Sequence, residues 1–170
     1  MTDNRFMEET VKISLSEESK KRLKKLEGVF PDKQSVVLPV IHIIYDQFEY
    51  IEKQAMKEAA GLMNIPDVYF EEAASFYTMF PLKPVGKYLI QVCQNISCTL
   101  MGAEGLLSYL DKKHGIRLGE TTEDGLFTLV TAECLGSCGT APMMQINDKY
   151  YESLTRAKVD EILEKLRNSK

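Results

Sequence analysis

At 170 residues the chain has room for one domain or two small ones, which excludes a large multidomain enzyme. Hydrophobic residues make up 44% and charged residues 27%, with 8 Tyr and 7 Phe, which supplies a packed core and argues against disorder. A net charge of -4, with no basic block able to neutralise phosphates along a duplex, excludes nucleic acid as a partner.

No run of the sequence reaches the roughly 20 apolar residues that a membrane helix needs, so no direct membrane insertion is expected. Residues Met1 to Lys12 carry acids and no apolar centre, unlike a secretory signal. The next stretch, up to residue 80, reads as helical. Ser14 and Glu17 have capping-box spacing, Glu17 and Glu18 open a first turn, and Gly28 closes a first helix whose Leu23 and Leu26 form a narrow apolar edge. Lys20, Lys21, Lys24 and Lys25 on it read as a solvated face. A second helix spans about Ser35 to Phe48, with Pro39 in its first turn and Val37, Val40, Ile41, Ile44 and Phe48 on one face. A third, about Glu52 to Met63, offers Ala55, Met56, Ala59, Ala60 and Met63; a fourth, after Pro66, offers Val68, Phe70, Ala73, Ala74 and Tyr77. The aromatics Tyr69, Phe70, Phe76, Tyr77 and Phe80 fit both a bundle core and a partner surface.

The stretch Phe80 to Gly86, with Pro81 and Pro84, reads as a linker. The expected organisation is a helical bundle over 1–80, a linker over 81–86 and a second domain over 87–170. Beyond the linker Tyr88 to Val92 reads as a buried strand, Thr99 to His114 as one helix ending at Gly115, and Phe127 to Thr131 as a second strand. Met143 to Ile146 and Tyr150–Tyr151 read as a hairpin, and Thr155 caps a last helix carrying Val159, Ile162, Leu163 and Leu166. The fold class is α/β in the α+β sense: a helical bundle, then a compact α/β unit.

All four cysteines fall after strands, as Cys93 with Cys98 and Cys134 with Cys138. The spacings are C-x4-C and C-x3-C, wider than the C-x2-C knuckles of structural zinc sites, while iron-sulfur clusters accept wider spacing. Cys98 is expected to open the helix near Thr99, with its thiolate at the free N–H groups there, and Gly136 and Gly139 allow N–H groups close to sulfur. No Lys or Arg lies between Tyr88 and Ala103 or between Thr128 and Asp148, which predicts a low reduction potential for an anionic cluster. A 2Fe-2S cluster is the favoured reading; structural disulfides, structural zinc and buried thiols are the alternatives. His42, inside a helix, and His114, at a helix C-terminus, read as structural rather than as ligands.

Cys93-Gln-Asn-Ile-Ser-Cys98, Thr121-Thr-Glu-Asp-Gly-Leu-Phe-Thr128 and Glu133-Cys-Leu-Gly-Ser-Cys138-Gly-Thr-Ala-Pro142 resemble the thioredoxin-like 2Fe-2S subunit, the E subunit, of bacterial NADH:quinone oxidoreductase. Val37-Leu-Pro-Val40, Met63-Asn-Ile-Pro66 and Ala74-Ser-Phe-Tyr-Thr-Met-Phe80 are similar to that family's helical preface. The resemblance implies a helical bundle leading into a thioredoxin-like ferredoxin domain, one 2Fe-2S cluster, and Cys93, Cys98, Cys134 and Cys138 as its ligands. It implies a larger partner, the F-type iron-sulfur subunit, that carries FMN and NADH, and a cytoplasmic place on the inner face of the membrane as part of the complex. It also implies a structural role, and a cis peptide bond, for Pro142. The chain has no G-x-G-x-x-G loop, so the nucleotide site is expected on the partner and no catalytic acid or base is expected here. Diaphorase subunits of NAD-dependent hydrogenases and formate dehydrogenases look much the same, and a free-standing ferredoxin or a zinc-stabilised interaction module are the other readings.

Overall fold

The computed structural model describes residues 13–169, and the segment read as lacking a secretory signal lies outside them. The chain divides into two compact units between Pro84 and Val85. The first is helical: α1 Glu17–Leu26, α2 Val37–Phe48, α3 Lys53–Met63 and α4 Val68–Phe76.

The N-cap of α1 is Ser16, not Ser14: the Ser16 hydroxyl accepts the Ser19 N–H at 3.1 Å. The choice is made by tertiary contact. Gln47 of α2 accepts the Ser16 N–H at 2.9 Å and the Ser19 hydroxyl at 2.7 Å, and its amide donates to the Ser14 carbonyl at 3.0 Å. Those bonds hold Ser14 outside the helix. α2 follows a 3-10 turn over Gln34–Val36, and Pro39 sits in its first turn, where the missing N–H would have had no helical partner. Val37, Val40, Ile41, Ile43 and Ile44 of α2 are buried with Leu23, Ala55, Met56, Ala59, Ala60, Phe70 and Ala74, so α2 is the centre of this unit's core. The small residues of α3 allow close approach to it.

α4 departs from the expected face. Phe70 and Ala74 are buried at i, i+4 spacing, whereas Val68 and Tyr77 are exposed. The aromatic run splits in the same way: Phe70 and Phe80 are buried, while Phe76 is 77% exposed and stacks edge-to-face on Tyr77 at 5.0 Å. His42 is exposed and meets Phe80 edge-on at 4.9 Å.

In the second unit four strands, β1 Tyr88–Cys93, β2 Phe127–Ala132, β3 Met144–Ile146 and β4 Lys149–Tyr151, form one mixed sheet in the order β2-β1-β3-β4. β1 pairs parallel with β2, from Tyr88 opposite Phe127 to Cys93 opposite Ala132, and antiparallel with β3. Paired on both sides, β1 is buried along almost its whole length, which explains its largely apolar sequence, interrupted only by Gln91. The β3–β4 turn is stitched to β1 by Asn147, whose side chain accepts the Leu89 N–H at 2.8 Å and donates to the Lys87 carbonyl at 3.1 Å.

The single helix expected over Thr99–His114 is two, α5 Ile96–Leu100 and α6 Ala103–His114. Gly102, at φ +98, separates them: its N–H closes α5 on the Thr99 carbonyl, and its carbonyl accepts the Leu106 N–H to start α6. α7, Arg156–Asn168, is capped by Thr155 as its sequence predicts, and buries Val159 and Leu163. Seven α-helices and a four-stranded mixed sheet among the described residues make the chain α+β, as expected.

α6 and α7 are joined by a polar cluster that the sequence did not disclose. Asp160 accepts from the Tyr109 hydroxyl at 2.8 Å and from Lys113 at 2.7 Å, and faces His114 Nε2 at 2.8 Å. The Arg156 guanidinium lies over the Tyr109 ring at 5.2 Å. His114 is thus held by a carboxylate as well as by its place at a helix end.

Two expectations follow from this packing. An added Cβ at Gly86 would lie 2.8 Å from the Gly125 carbonyl oxygen and 3.0 Å from the Leu126 carbonyl carbon, both backbone atoms that cannot swing away. Gly86→Ala should therefore lower the unfolding free energy by about 1–3 kcal/mol in urea titration. The second concerns pH. The Lys113 ammonium holds the Asp160 carboxyl down at about 2 from an ordinary 3.8, with desolvation opposing and Tyr109 and His114 also donating. A depressed carboxylate stabilises the fold above its unfolded value and loses that contribution as pH falls towards its folded value. Asp160→Asn should lower the urea midpoint at neutral pH, and the gap from wild type should close between pH 3.8 and about 2; a gap that persists at the acid end would show that the carboxylate charge is not its source.

Candidate metal centre

The sheet brings the two cysteine pairs to one end. Cys93 is the last residue of β1, and β2, running parallel beside it, ends opposite at Ala132, two residues before Cys134. Parallel strands in register finish on the same side, so the C-x4-C and C-x3-C segments leave the sheet together. The Gln94 N–H continues the ladder to the Ala132 carbonyl at 3.0 Å, and the Gln94 side chain donates to Glu133 at 3.0 Å. The two segments are tied together at their roots.

The pairs differ in setting. Cys93 and Cys98 are 2% and 1% exposed and pack in the core of this unit. Cys134 and Cys138 are exposed, on an irregular loop that ends in a 3-10 turn, Cys138–Thr140. Gly136, at φ +75, turns its N–H back onto the Cys134 sulfur at 3.4 Å, the close approach its lack of a side chain predicts.

Backbone donors surround the sulfurs. Burial pushes the Cys93 thiol up, but the N–H groups of Asn95 and Leu135, with hydrogen bonds involving Cys98 and Cys134, more than offset it and hold Cys93 below its ordinary value. Cys98 moves the other way: burial, its hydrogen bond with Cys93 and the charges of Cys93 and Cys138 raise it, against one N–H bond from Met143. This corrects the expectation that Cys98 opens a long helix and gains from its dipole. Cys98 is the third residue of α5, a helix of 5 residues, and its donor comes from Met143 beside β3. In the sequence Met143 reads only as the start of a hairpin strand. The Ala141–Pro142 bond is cis, as expected, and Met143 follows it immediately before β3.

The donor set fits a dinuclear cluster. All four cysteines are free, and Cys93 interacts with both Cys98 and Cys134 while Cys138 acts on Cys98. Among the described residues no three His, Cys, Asp or Glu side chains are grouped to hold a single metal ion. A 2Fe-2S core takes four thiolates shared between two irons and does not require them to meet at one point. His114 is engaged with Asp160, and His42 belongs to the helical unit, where it meets Phe80. Ile96, Leu100 and Met101 stand exposed on and beside α5, at 71%, 80% and 60%.

Comparison with known proteins agrees with this geometry. Residues 21–167 match the family model of the thioredoxin-like 2Fe-2S ferredoxin. The second E subunit of the NADH-quinone oxidoreductase of Rhizobium meliloti (strain 1021) is 41% identical over 138 residues, 81% of this chain and 82% of the relative. The E subunit of the NADH-quinone oxidoreductase of Rickettsia conorii (strain ATCC VR-613 / Malish 7) is 44% identical over 137 residues, 80% of this chain and 82% of the relative. Among solved structures, the NAD+-reducing NiFe hydrogenase in the H2-reduced state superposes with a TM-score of 0.68 at 24% identity, over 79% of this chain. This chain spans only 22% of that hydrogenase chain, and the likeness concerns the fold. The chain belongs to the thioredoxin-like 2Fe-2S ferredoxin family, and its cofactor is one 2Fe-2S cluster.

The loop geometry separates its two glycines. Gly136 needs a left-handed backbone, whereas Gly139 does not, and an added Cβ meets nothing within 4 Å at either. Gly136→Ala should cost about 1–2 kcal/mol in urea unfolding of the cluster-loaded chain, and Gly139→Ala should stay within about 0.5 kcal/mol of wild type.

Proposed function

We propose that this member of the thioredoxin-like 2Fe-2S ferredoxin family is the electron-transfer subunit of the NADH-oxidising module of an NADH:quinone oxidoreductase, with Cys93, Cys98, Cys134 and Cys138 as the cluster ligands. The observation that carries the ligand assignment is the convergence of all four thiols at one end of the β1–β2 pair. The cluster, when bound, supplies one-electron storage. The chain's own residues make and break no bond of a substrate. They hold thiolates, direct backbone N–H groups at sulfur, and keep the inner pair dry.

The 41–44% identity to respiratory E subunits favours that parent complex over a hydrogenase diaphorase, whose likeness is one of fold. The partner in this reading is a larger subunit carrying FMN and NADH, of the F type, with the pair placed at the cytoplasmic face of the inner membrane. Two features support a partner-facing surface. The outer cysteines are exposed, which opens that side of the site to a partner, and the apolar side chains of Ile96, Leu100 and Met101 are exposed on and beside α5, the helix that carries Cys98. The helical unit adds exposed Phe76, Tyr77 and Met79, aromatic and Met surface of the kind interfaces use. A solitary diffusible ferredoxin has no use for a helical unit of this size. Among the described residues no helix is long and apolar enough to cross a membrane.

The test is spectroscopic. The anaerobically purified chain should contain two irons and two sulfides, absorb in the visible, and give an EPR signal on dithionite reduction. Cys134→Ala should lose or degrade the cluster while the helical unit keeps its circular dichroism; an unchanged visible and EPR spectrum would refute the ligand assignment, and a colourless wild-type chain with stoichiometric zinc would refute the function.

A further inference from the structure

The two cysteine pairs are not held in the same way. Cys93 and Cys98 are fixed by core packing of β1 and α5. Cys134 and Cys138 lie beyond the last pair of the β1–β2 ladder, exposed, in a loop that must be positioned by its tethers.

Beyond the Gln94–Glu133 bond at its root and the Leu135 N–H on the Cys93 sulfur, the tethers come from residues 150–154, which follow the loop from the far side of the hairpin. The Tyr150 hydroxyl donates to the Leu135 carbonyl at 2.8 Å. One oxygen of Glu152 accepts both the Thr140 hydroxyl, at 2.7 Å, and the Ser137 hydroxyl. The Ser137 and Thr140 hydroxyl oxygens lie 2.8 Å apart, so the two donors converge on the one carboxylate oxygen. Backbone bonds from Ser153 N–H to the Thr140 carbonyl at 2.6 Å and from Leu154 N–H to the Pro142 carbonyl at 2.9 Å continue the strap. Lys158 of α7 donates to the Glu152 carbonyl at 2.9 Å and fixes the strap from behind. Donation by Ser137 and then Thr140 holds the Glu152 carboxyl below its ordinary range, so the two bonds are charge-assisted at neutral pH.

We propose that Glu152, supported by Tyr150, is a positioning residue for the cluster: through Ser137 and Thr140 it fixes the loop that presents Cys134 and Cys138, and so sets how firmly the cluster would be kept. The inference rests on the ligand assignment above. Glu152 touches no cysteine and is exposed, so its removal leaves the core packed and loosens only the loop.

The experiment uses the full, cluster-loaded chain under anaerobic conditions. Iron release to ferrozine is timed, and the EPR spectrum of the reduced protein is recorded, for wild type, Glu152→Ala, Glu152→Gln and Tyr150→Phe. Glu152→Ala removes both bonds and should release iron at least about tenfold faster, tenfold being the factor expected for loss of a single charge-assisted hydrogen bond, with altered g-values and an unchanged far-UV spectrum. Glu152→Gln keeps an oxygen for both hydroxyls and should restore most of the retention, a rescue that a purely electrostatic effect of the carboxylate would not give. Tyr150→Phe should fall between, and it decides by the same two readouts if Glu152→Ala does not accumulate. Wild-type release and g-values in Glu152→Ala, or a Gln variant as leaky as the Ala variant, overturns the proposal while leaving the ligands intact. A wild-type chain without iron overturns the ligand assignment and this inference together.

Discussion

The parallel pairing of β1 with β2 is the constraint on which the site depends. Two strands running the same way must finish at the same edge, so a cysteine that ends β1 and a cysteine that follows β2 are brought together although about 40 residues of chain separate them. The intervening crossover is α5 and α6, and the break between them at Gly102 lets the short first piece carry Cys98 back beside Cys93. β3 then pairs antiparallel on the other side of β1, so its entry, not its exit, lies at the cysteine end. That is why a backbone N–H at Met143 reaches Cys98.

The same arrangement divides the four thiols into an inner and an outer pair. The inner pair is desolvated, which opposes the thiolate state, and the backbone answers with N–H groups from Asn95, Leu135 and Met143. The outer pair stays in contact with solvent and lies on a loop that neither a strand nor an α-helix carries. Burial fixes one half of the site and hydrogen-bonded tethers fix the other. An electron-transfer group benefits from that division: one side is shielded from water, and one side stays open to a partner.

The helical unit follows a different logic. α2 is its apolar axis, and the polar side chain of Gln47 on that helix decides where α1 begins. The outward Phe76 and Tyr77 are the residues that the core does not claim. They pack edge-to-face on each other rather than in the core, which supports the partner-facing surface proposed for them.

Most of the element order was legible from period and punctuation: the Thr155 cap, the β3–β4 hairpin, the largely apolar stretch of β1 and the paired cysteine motifs are local signals, and local physics placed them. What failed to show was whatever depends on residues distant in the chain. Ser16 displaces Ser14 as a cap because Gln47 reaches it; Val68 and Tyr77 face outward because the core is already filled by Phe70 and Ala74; Asp160, Met143 and Glu152 acquire roles only through neighbours 12 to 51 positions away. The sequence by itself determined which residue types were present to bind iron, because thiolate chemistry and spacing are written along the chain. Only the tertiary structure decided which pair is buried, which N–H groups meet the sulfurs and what holds the outer loop, because those depend on strand direction and side-chain contact that no one-dimensional pattern encodes.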